Sequence, residues 1–379
     1  MLAATQTVRP SLADVLRSSF DSVAGRSNAL GLPTVDRAVV VIVDGLGAVN
    51  LRARAGHART LASALTRSST IQTVFPTTTV AALASLTTGE QPGVHGMVGY
   101  EVLDAEHDRV VKLLTGWDDR LDPLTWQRSG TLFEEAAANG VPSFTIGSER
   151  FRGSGFSQAV LRGAEYLSGV SIADRFTEAR RVLDQNDTAV VYLYISELDQ
   201  AAHRDGWQSE RWLRALEATD AAANEFLSSL GQREGMLVTA DHGVIDVPQH
   251  AHVLFDSVPG LVDGIRHVAG EPRGLQLYFE PDASPDQRQR VLERWRSAEG
   301  DRSWVLTRDE IVAQGWFGAD VADEVLPRVG DIVVAARKAI VYYDSRTASE
   351  TALAMVGQHG SRSPEETTVP LLRFGAFAR

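Results

Sequence analysis

A chain of 379 residues with 44% hydrophobic and 23% charged residues fits one large globular unit and leaves little room for extensive disorder. A formal net charge of -12 disfavours binding to duplex nucleic acid or to anionic membranes, although a local metal site can reverse the sign of the field around a phosphate. The absence of cysteine excludes disulfide scaffolds, thiolate zinc sites and cysteine nucleophiles, so any metal must rest on His, Asp, Glu and hydroxyl oxygens.

Met1 to Phe20 shows no apolar run of export-signal type, and no stretch approaches the ~20 apolar residues of a membrane span. A cytoplasmic protein is the expectation. Three β-branched runs follow. Ala38 to Val43 reads AVVVIV and leads into Asp44-Gly45-Leu46-Gly47. Ala189 to Ile195 reads AVVYLYI and leads into Ser196-Glu197-Leu198-Asp199. Met236 to Ala240 reads MLVTA and leads into Asp241-His242-Gly243. Such runs suit strands covered on both faces. Helical patterns over Ile172 to Asn186 and Glu210 to Leu230 alternate with them. The expected fold is therefore α/β, with a mostly parallel sheet flanked by helices. In such folds functional groups collect beyond the carboxyl ends of the strands.

From about residue 248 to 348 the character changes. Leu275 to Phe279, Ile332 to Ala335 and Ala339 to Tyr343 read as shorter strands, and Ser284 to Ala298 as an exposed helix. The expected organisation is a core of residues 1–247 and 349–379 with a small inserted α+β cap at 248–348. The core closes on a Val369 to Leu372 strand.

Asp199 and His203 are four residues apart, so on a helix they share a face and can reach one ion; a surface pair or N-cap reads equally from the spacing. Asp241-His242-Gly243 after a buried strand needs partners or a metal, or else is a helix cap beside an ordinary histidine. Nothing local singles out His359 in Gln358-His359-Gly360-Ser361. Val74 to Gly96 reads VFPTTTVAALASLTTGEQPGVHG. Its threonines precede an apolar helix, where a hydroxyl can cap the helix or attack an anion held at the N-terminus.

In chain order these pieces resemble the nucleotide pyrophosphatase/phosphodiesterase branch of the alkaline phosphatase superfamily. The matching elements are Asp44, Pro76-Thr77-Thr78-Thr79, Thr87-Thr88-Gly89, His95-Gly96, Asp199-x-x-x-His203, Asp241-His242-Gly243 and His359-Gly360. The resemblance implies an alkaline-phosphatase-like core and two zinc ions, with manganese as the alternative metal. Asp199, His203 and His359 would hold one ion. Asp44, Asp241, His242 and the nucleophile would hold the other. Counting back ten residues from Gly89 makes Thr79 the nucleophile, ahead of Thr78 and Thr77. One departure stands out. Better-known members carry an Asn three residues after the nucleophile that steadies a phosphate oxygen; this chain has Ala82, and an amide near Gly45 or Thr79 is expected to serve instead.

The implied activity is hydrolysis of a phosphodiester or pyrophosphate bond through a covalent phosphothreonine. The substrate would be a small phosphate ester, a nucleotide among the candidates, and not duplex nucleic acid. The rival readings are a phosphomonoesterase or phosphonate hydrolase on the same residues, and a metal-stabilised binding protein without turnover. With the ligand set filled, His95 is expected to make structural hydrogen bonds and Tyr100 to face substrate. His250 and His252 are expected in exposed loops.

Overall fold

Val39 to Val43 are all β-branched and, with Ala38, form the buried length of the strand Arg37–Val43. Their side chains pack on both faces of the pleat, as a central strand requires. In the computed structural model, which describes residues 10–378, this strand lies inside a six-stranded sheet. Residues 1–9, part of the segment read for an export signal, lie outside the described residues. The spatial order is Leu372–Gly375, Glu234–Thr239, Arg37–Val43, Ala189–Ile195, Ser143–Gly147 and Glu165–Ser168. Every neighbouring pair is parallel except the first. Val43 lies opposite Ile195, and Ile42 opposite Thr239. This register levels three strand ends, so Asp44, Asp199 and Asp241 leave the sheet at one edge.

Helices cover the sheet where the sequence places them, with small shifts at their ends. Ile172–Gln185 starts at Ser171, whose hydroxyl accepts the Asp174 N–H while the Asp174 carboxylate accepts the Ser171 N–H. Two otherwise unpaired amides are thus satisfied. The helix buries Ile172, Phe176, Ala179, Val182 and Leu183, one stripe at helical spacing. Glu210–Ser228 stops two residues short of the expected Leu230. No helix among the described residues is long and apolar enough to cross a membrane.

A second, antiparallel sheet extends beyond the expected 248–348 boundaries. Its order is Ser303–Thr307, Ile332–Ala336, Gly274–Phe279, Ile265–Glu271, Glu101–Asp104 and Arg109–Lys112. The last two strands are a hairpin from the first part of the chain, joined through the pairing of Gly270 with Glu101. Val102, Val111, Val333 and Ala335 belong to the same apolar core as the central sheet. Leu275, Leu277, Ile332 and Val334 instead pack with Trp295 of the helix Pro285–Glu299. Alternation of side chains across the pleat lets one sheet serve both cores.

The expected Val369 to Leu372 strand is two strands with Leu371 between them. Thr368–Pro370 pairs with Thr70–Gln72, and Leu372–Gly375 pairs antiparallel with Glu234–Thr239. Pro370 has no N–H to offer a continuous ladder, which suits a switch between sheets.

A fully buried ion pair ties the second sheet to the segment that follows His359. Arg273, in the turn between two strands of the second sheet, donates to both carboxylate oxygens of Glu366 at 2.8 Å. It also donates to the carbonyls of Lys338 and Ile340, at 2.9 and 2.8 Å. Glu366 accepts the amides of Ser361 and Ser363. Burial pushes the Glu366 carboxyl upward in pKa, and Arg273 with these donors outweighs it, so the group stays below its ordinary range. A depressed carboxylate contributes stability above its unfolded pKa of about 4.3 and loses it as pH falls through the folded value. Glu366→Gln would strand a guanidinium in the interior and should cost about 3–5 kcal/mol in denaturant unfolding at neutral pH. The deficit should shrink on acidification below pH about 4, and a loss under about 1 kcal/mol at neutral pH would remove the pair from this structural role.

Candidate active site

Each site residue follows from a local fold rule. Asp44 ends its strand, and Gly45 turns the chain at φ +74°; a Cβ there would lie 3.1 Å from Asp199 Oδ1 and 3.2 Å from Asp199 Cα. Glycine is what lets that turn approach the helix Glu197–Asp205. On that helix Asp199 and His203 stand one turn apart, with His203 Nε2 3.1 Å from Asp199 Oδ2. Asp241-His242 follow Glu234–Thr239 after Ala240, and the Gly243 Cα lies so close to the Glu365 carbonyl that a Cβ would come within 2.0 Å of it. His359 arrives last. It is placed by the antiparallel pairing of Gly357–Gln358 with Ile245–Asp246, and by the Val356 amide bonding to the His203 carbonyl.

Two triads result. Ligand atoms of Asp199, His203 and His359 lie within 4.8 Å of one another, as do those of Asp44, Asp241 and His242. The triads adjoin, because the His242 and His359 rings stack with centroids 3.7 Å apart and planes 18° from parallel. Thr79 is the first residue of the helix Thr79–Thr88, and its Oγ1 lies 3.3 Å from His242 Nε2. Thr78 occupies the N-cap position without placing its hydroxyl on the first-turn amides. Thr77 points elsewhere: its hydroxyl donates to the Ser361 carbonyl and accepts the Gly360 N–H.

The hydrogen bonds around the imidazoles prepare them as ligands. His203 Nδ1 pairs with the Gly357 carbonyl at 2.8 Å, His359 Nδ1 with the Thr77 carbonyl at 2.7 Å, and His242 Nδ1 with the Gly243 carbonyl at 3.1 Å. A carbonyl only accepts, so each Nδ1 carries a proton and each Nε2 faces the cluster. Asp44 Oδ1, Asp199 Oδ1 and Asp241 Oδ2 are buried without a hydrogen-bond partner. Three imidazole nitrogens turned toward the cluster and three carboxylate oxygens without a hydrogen-bond partner fit divalent ions with mixed N/O preference, zinc and manganese among them. The bare protein carries strong electrostatic tension. Burial pushes the Asp44 carboxyl well up in pKa, and Asp241 and Asp199 add to it. Burial also disfavours charge on Asp199 and His203, but their mutual attraction prevails: Asp199 is held down and His203 raised. Burial and the nearby His242 push His359 far down.

Beside the triads opens a cavity of about 430 Å³. Asp44, Thr79 and Asp199 line its polar end. Tyr192, Tyr194, Phe151, Phe156, Leu83 and Ile146 line much of the rest. Tyr194 donates its hydroxyl to Asp44 Oδ2.

Comparison with known proteins now decides the family. The model of type I phosphodiesterase / nucleotide pyrophosphatase matches residues 38–362. The chain belongs to that family. Its fold is that of the alkaline phosphatase superfamily, and the protein is a phosphoester hydrolase of the phosphodiesterase/nucleotide pyrophosphatase type. Mouse ectonucleotide pyrophosphatase/phosphodiesterase 5 superposes with a TM-score of 0.70 at 16% identity, over 89% of this chain and 88% of that one. An inactive threonine-to-alanine form of the mouse protein, in complex with AMP, gives 0.69 at 16% identity, covering 89% and 88%. Phosphonoacetate hydrolase from Sinorhizobium meliloti 1021, in complex with phosphonoformate, gives 0.68 at 17%, covering 90% and 91%. No curated protein matches the sequence.

The family resemblance reads this chain unevenly. The seven expected metal and nucleophile residues come together. Tyr100 does not join them: it is half-buried, its N–H donates to Glu271, and it is absent from the cavity lining. The strand that starts at Glu101 draws it toward the second sheet. Ala82 is fully buried in its helix. The Gly45 amide cannot replace the family Asn, since it already donates to Asp241 Oδ1 at 3.2 Å. His95 is fully buried, takes the Met97 N–H on Nδ1 and so donates from Nε2 to Ser85; burial and the Arg328 charge bring its pKa down to about 3. His250 is exposed, but His252 is a half-buried strand residue packed on Tyr343. Tyr194 was missed, though its i, i+2 spacing from Tyr192 in AVVYLYI puts both on one face of the sheet.

Metal occupancy should stabilise the fold by relieving the buried carboxylates. Each ion at a hundred times its Kd should add about 2.7 kcal/mol. Thermal unfolding with chelator, zinc or manganese, combined with elemental analysis, tests this. Two ions per chain and a raised midpoint are expected; an unchanged midpoint and no retained metal would refute the site.

Proposed function

We propose that this hydrolase cleaves phosphodiester or pyrophosphate bonds by covalent catalysis, with Thr79 as nucleophile. The observation that carries the reading is the position of Thr79 Oγ1, against the Asp44–Asp241–His242 triad and at the start of a helix. Two bound divalent ions, zinc by preference, would lower the pKa of the hydroxyl and neutralise charge on the phosphoryl group. The residues do the rest. Asp44, Asp241 and His242 fix the hydroxyl side of the centre, and Asp199, His203 and His359 fix the other. The first-turn amides of Thr79–Thr88, free of a side-chain cap, offer donors to the phosphoryl oxygens. Thr79 Oγ1 attacks phosphorus, the bond to the leaving oxygen breaks, and a phosphothreonine forms. Water then hydrolyses it and returns the hydroxyl. The inactive threonine-to-alanine relative supports a threonine in this role.

A second reading is phosphonate or phosphomonoester hydrolysis on the same residues. The likeness to phosphonoacetate hydrolase, close to that of the mouse protein, favours keeping it.

Thr79→Ala should lower kcat by several orders of magnitude while metal content and melting stay near wild type. Thr78→Ala should be mild, because the Thr78 hydroxyl makes no cap bond. Nitrophenyl esters report both, and mass spectrometry of acid-quenched enzyme should find a phosphoryl group on the Thr79 peptide. Near-normal turnover by the Thr79 variant would end the proposal. His359→Ala should lose one ion preferentially and most of the activity, since Asp199 and His203 alone are too few for a tight zinc site. A full metal complement with normal turnover in that variant would remove His359 from the site.

A further inference from the structure

We infer that Arg150 binds the phosphoryl group of the substrate, supplying the oxygen contact for which Ala82 has no donor. The inference rests on the proposed function for the identity of the ligand. It rests on independent observations for the residue.

Arg150 follows the strand Ser143–Gly147, which lies parallel to Ala189–Ile195. It therefore leaves the sheet at the same edge as Asp44 and Asp199. It lines the cavity together with Asp44, Thr79 and Asp199, and among the described residues no other Lys, Arg or His lines it. Among the described residues it has no carboxylate partner. Its neighbours are committed: Arg152 pairs with Glu149 at 2.7 Å, and Arg175 pairs with Glu197. Among the described residues its guanidinium makes one side-chain hydrogen bond, to Ser196 Oγ at 3.5 Å, the outer limit for such a bond.

The side chain is exposed and rests on an aromatic ring. Its guanidinium carbon lies 4.5 Å from the Phe151 ring centroid. Phe151 packs edge-on against Tyr194, with centroids 5.9 Å apart, and Tyr194 donates to Asp44. A guanidinium stacked on an aromatic face keeps its in-plane N–H donors free. That fork matches two oxygens of a phosphoryl group. Such a cation should matter most where the phosphoryl group carries two negative charges, as in a monoester, a phosphonate or inorganic phosphate, and less for a singly charged diester.

The experiment compares zinc-loaded wild type, Arg150→Ala and Arg150→Lys. Calorimetric titration with inorganic phosphate at pH 8 reads binding without turnover. Arg150→Ala should bind phosphate roughly 10- to 100-fold more weakly, with Arg150→Lys in between. In kcat/KM, Arg150→Ala should lose on the order of 100-fold with 4-nitrophenyl phosphate and clearly less with bis(4-nitrophenyl) phosphate. Added guanidinium ion should restore part of the loss. Metal content should not change, because Arg150 is no ligand. Phosphate affinity unchanged in Arg150→Ala, or losses equal for the two esters, would overturn the inference. Should wild type turn over neither ester, the hydrolase reading fails by itself, while the phosphate titration still decides the role of Arg150.

Discussion

Three carboxylates that are almost fully withdrawn from water, Asp44, Asp199 and Asp241, set the terms for everything around them. Nothing in an apolar interior stabilises that much negative charge, and mutual repulsion adds to the desolvation cost. The structure answers with imidazoles whose tautomers are fixed by backbone carbonyls, and with geometry that two cations can satisfy. The flush register of three parallel strands creates the problem and the answer together. A one-residue slip of either neighbouring strand would carry an aspartate out of reach of its partners.

Much of this was legible because the chemistry lies close to the strands that place it. Asp44, Asp199 and Asp241 each sit within four residues of a β-branched run, and a parallel sheet gathers such ends by topology. The i, i+4 pair Asp199 and His203 needs only a helix to face one ion. His359 is different. No local feature marks it, and only the ordered resemblance to a family put it in the site; in the structure a two-residue pairing with Ile245–Asp246 positions it.

What escaped the sequence depended on long-range pairing. The strands Ser143–Gly147 and Glu165–Ser168 are short and carry Ser, Gly or Glu, so their pattern is weak, and Arg150 was lost with them. The hairpin Glu101–Lys112 was left with the core because its partner strand lies more than 150 residues downstream. Tyr100 was misplaced for the same reason. The Arg273–Glu366 pair is equally silent in the sequence, yet it fixes the second sheet against the loop that carries His359.

The two triads differ in how far they reach along the chain. Asp44, Asp241 and His242 are all present once residue 242 has been synthesised, whereas Asp199 and His203 wait for His359. On a ribosome, where the chain emerges in order, the residues of the first triad are all synthesised more than a hundred residues before His359. The residues of the candidate metal centre are therefore completed in chain order. A nascent or prematurely terminated chain ending between His242 and His359 carries every residue of one triad and lacks one residue of the other, together with the Glu366 carbonyl that accepts the Gly243 amide.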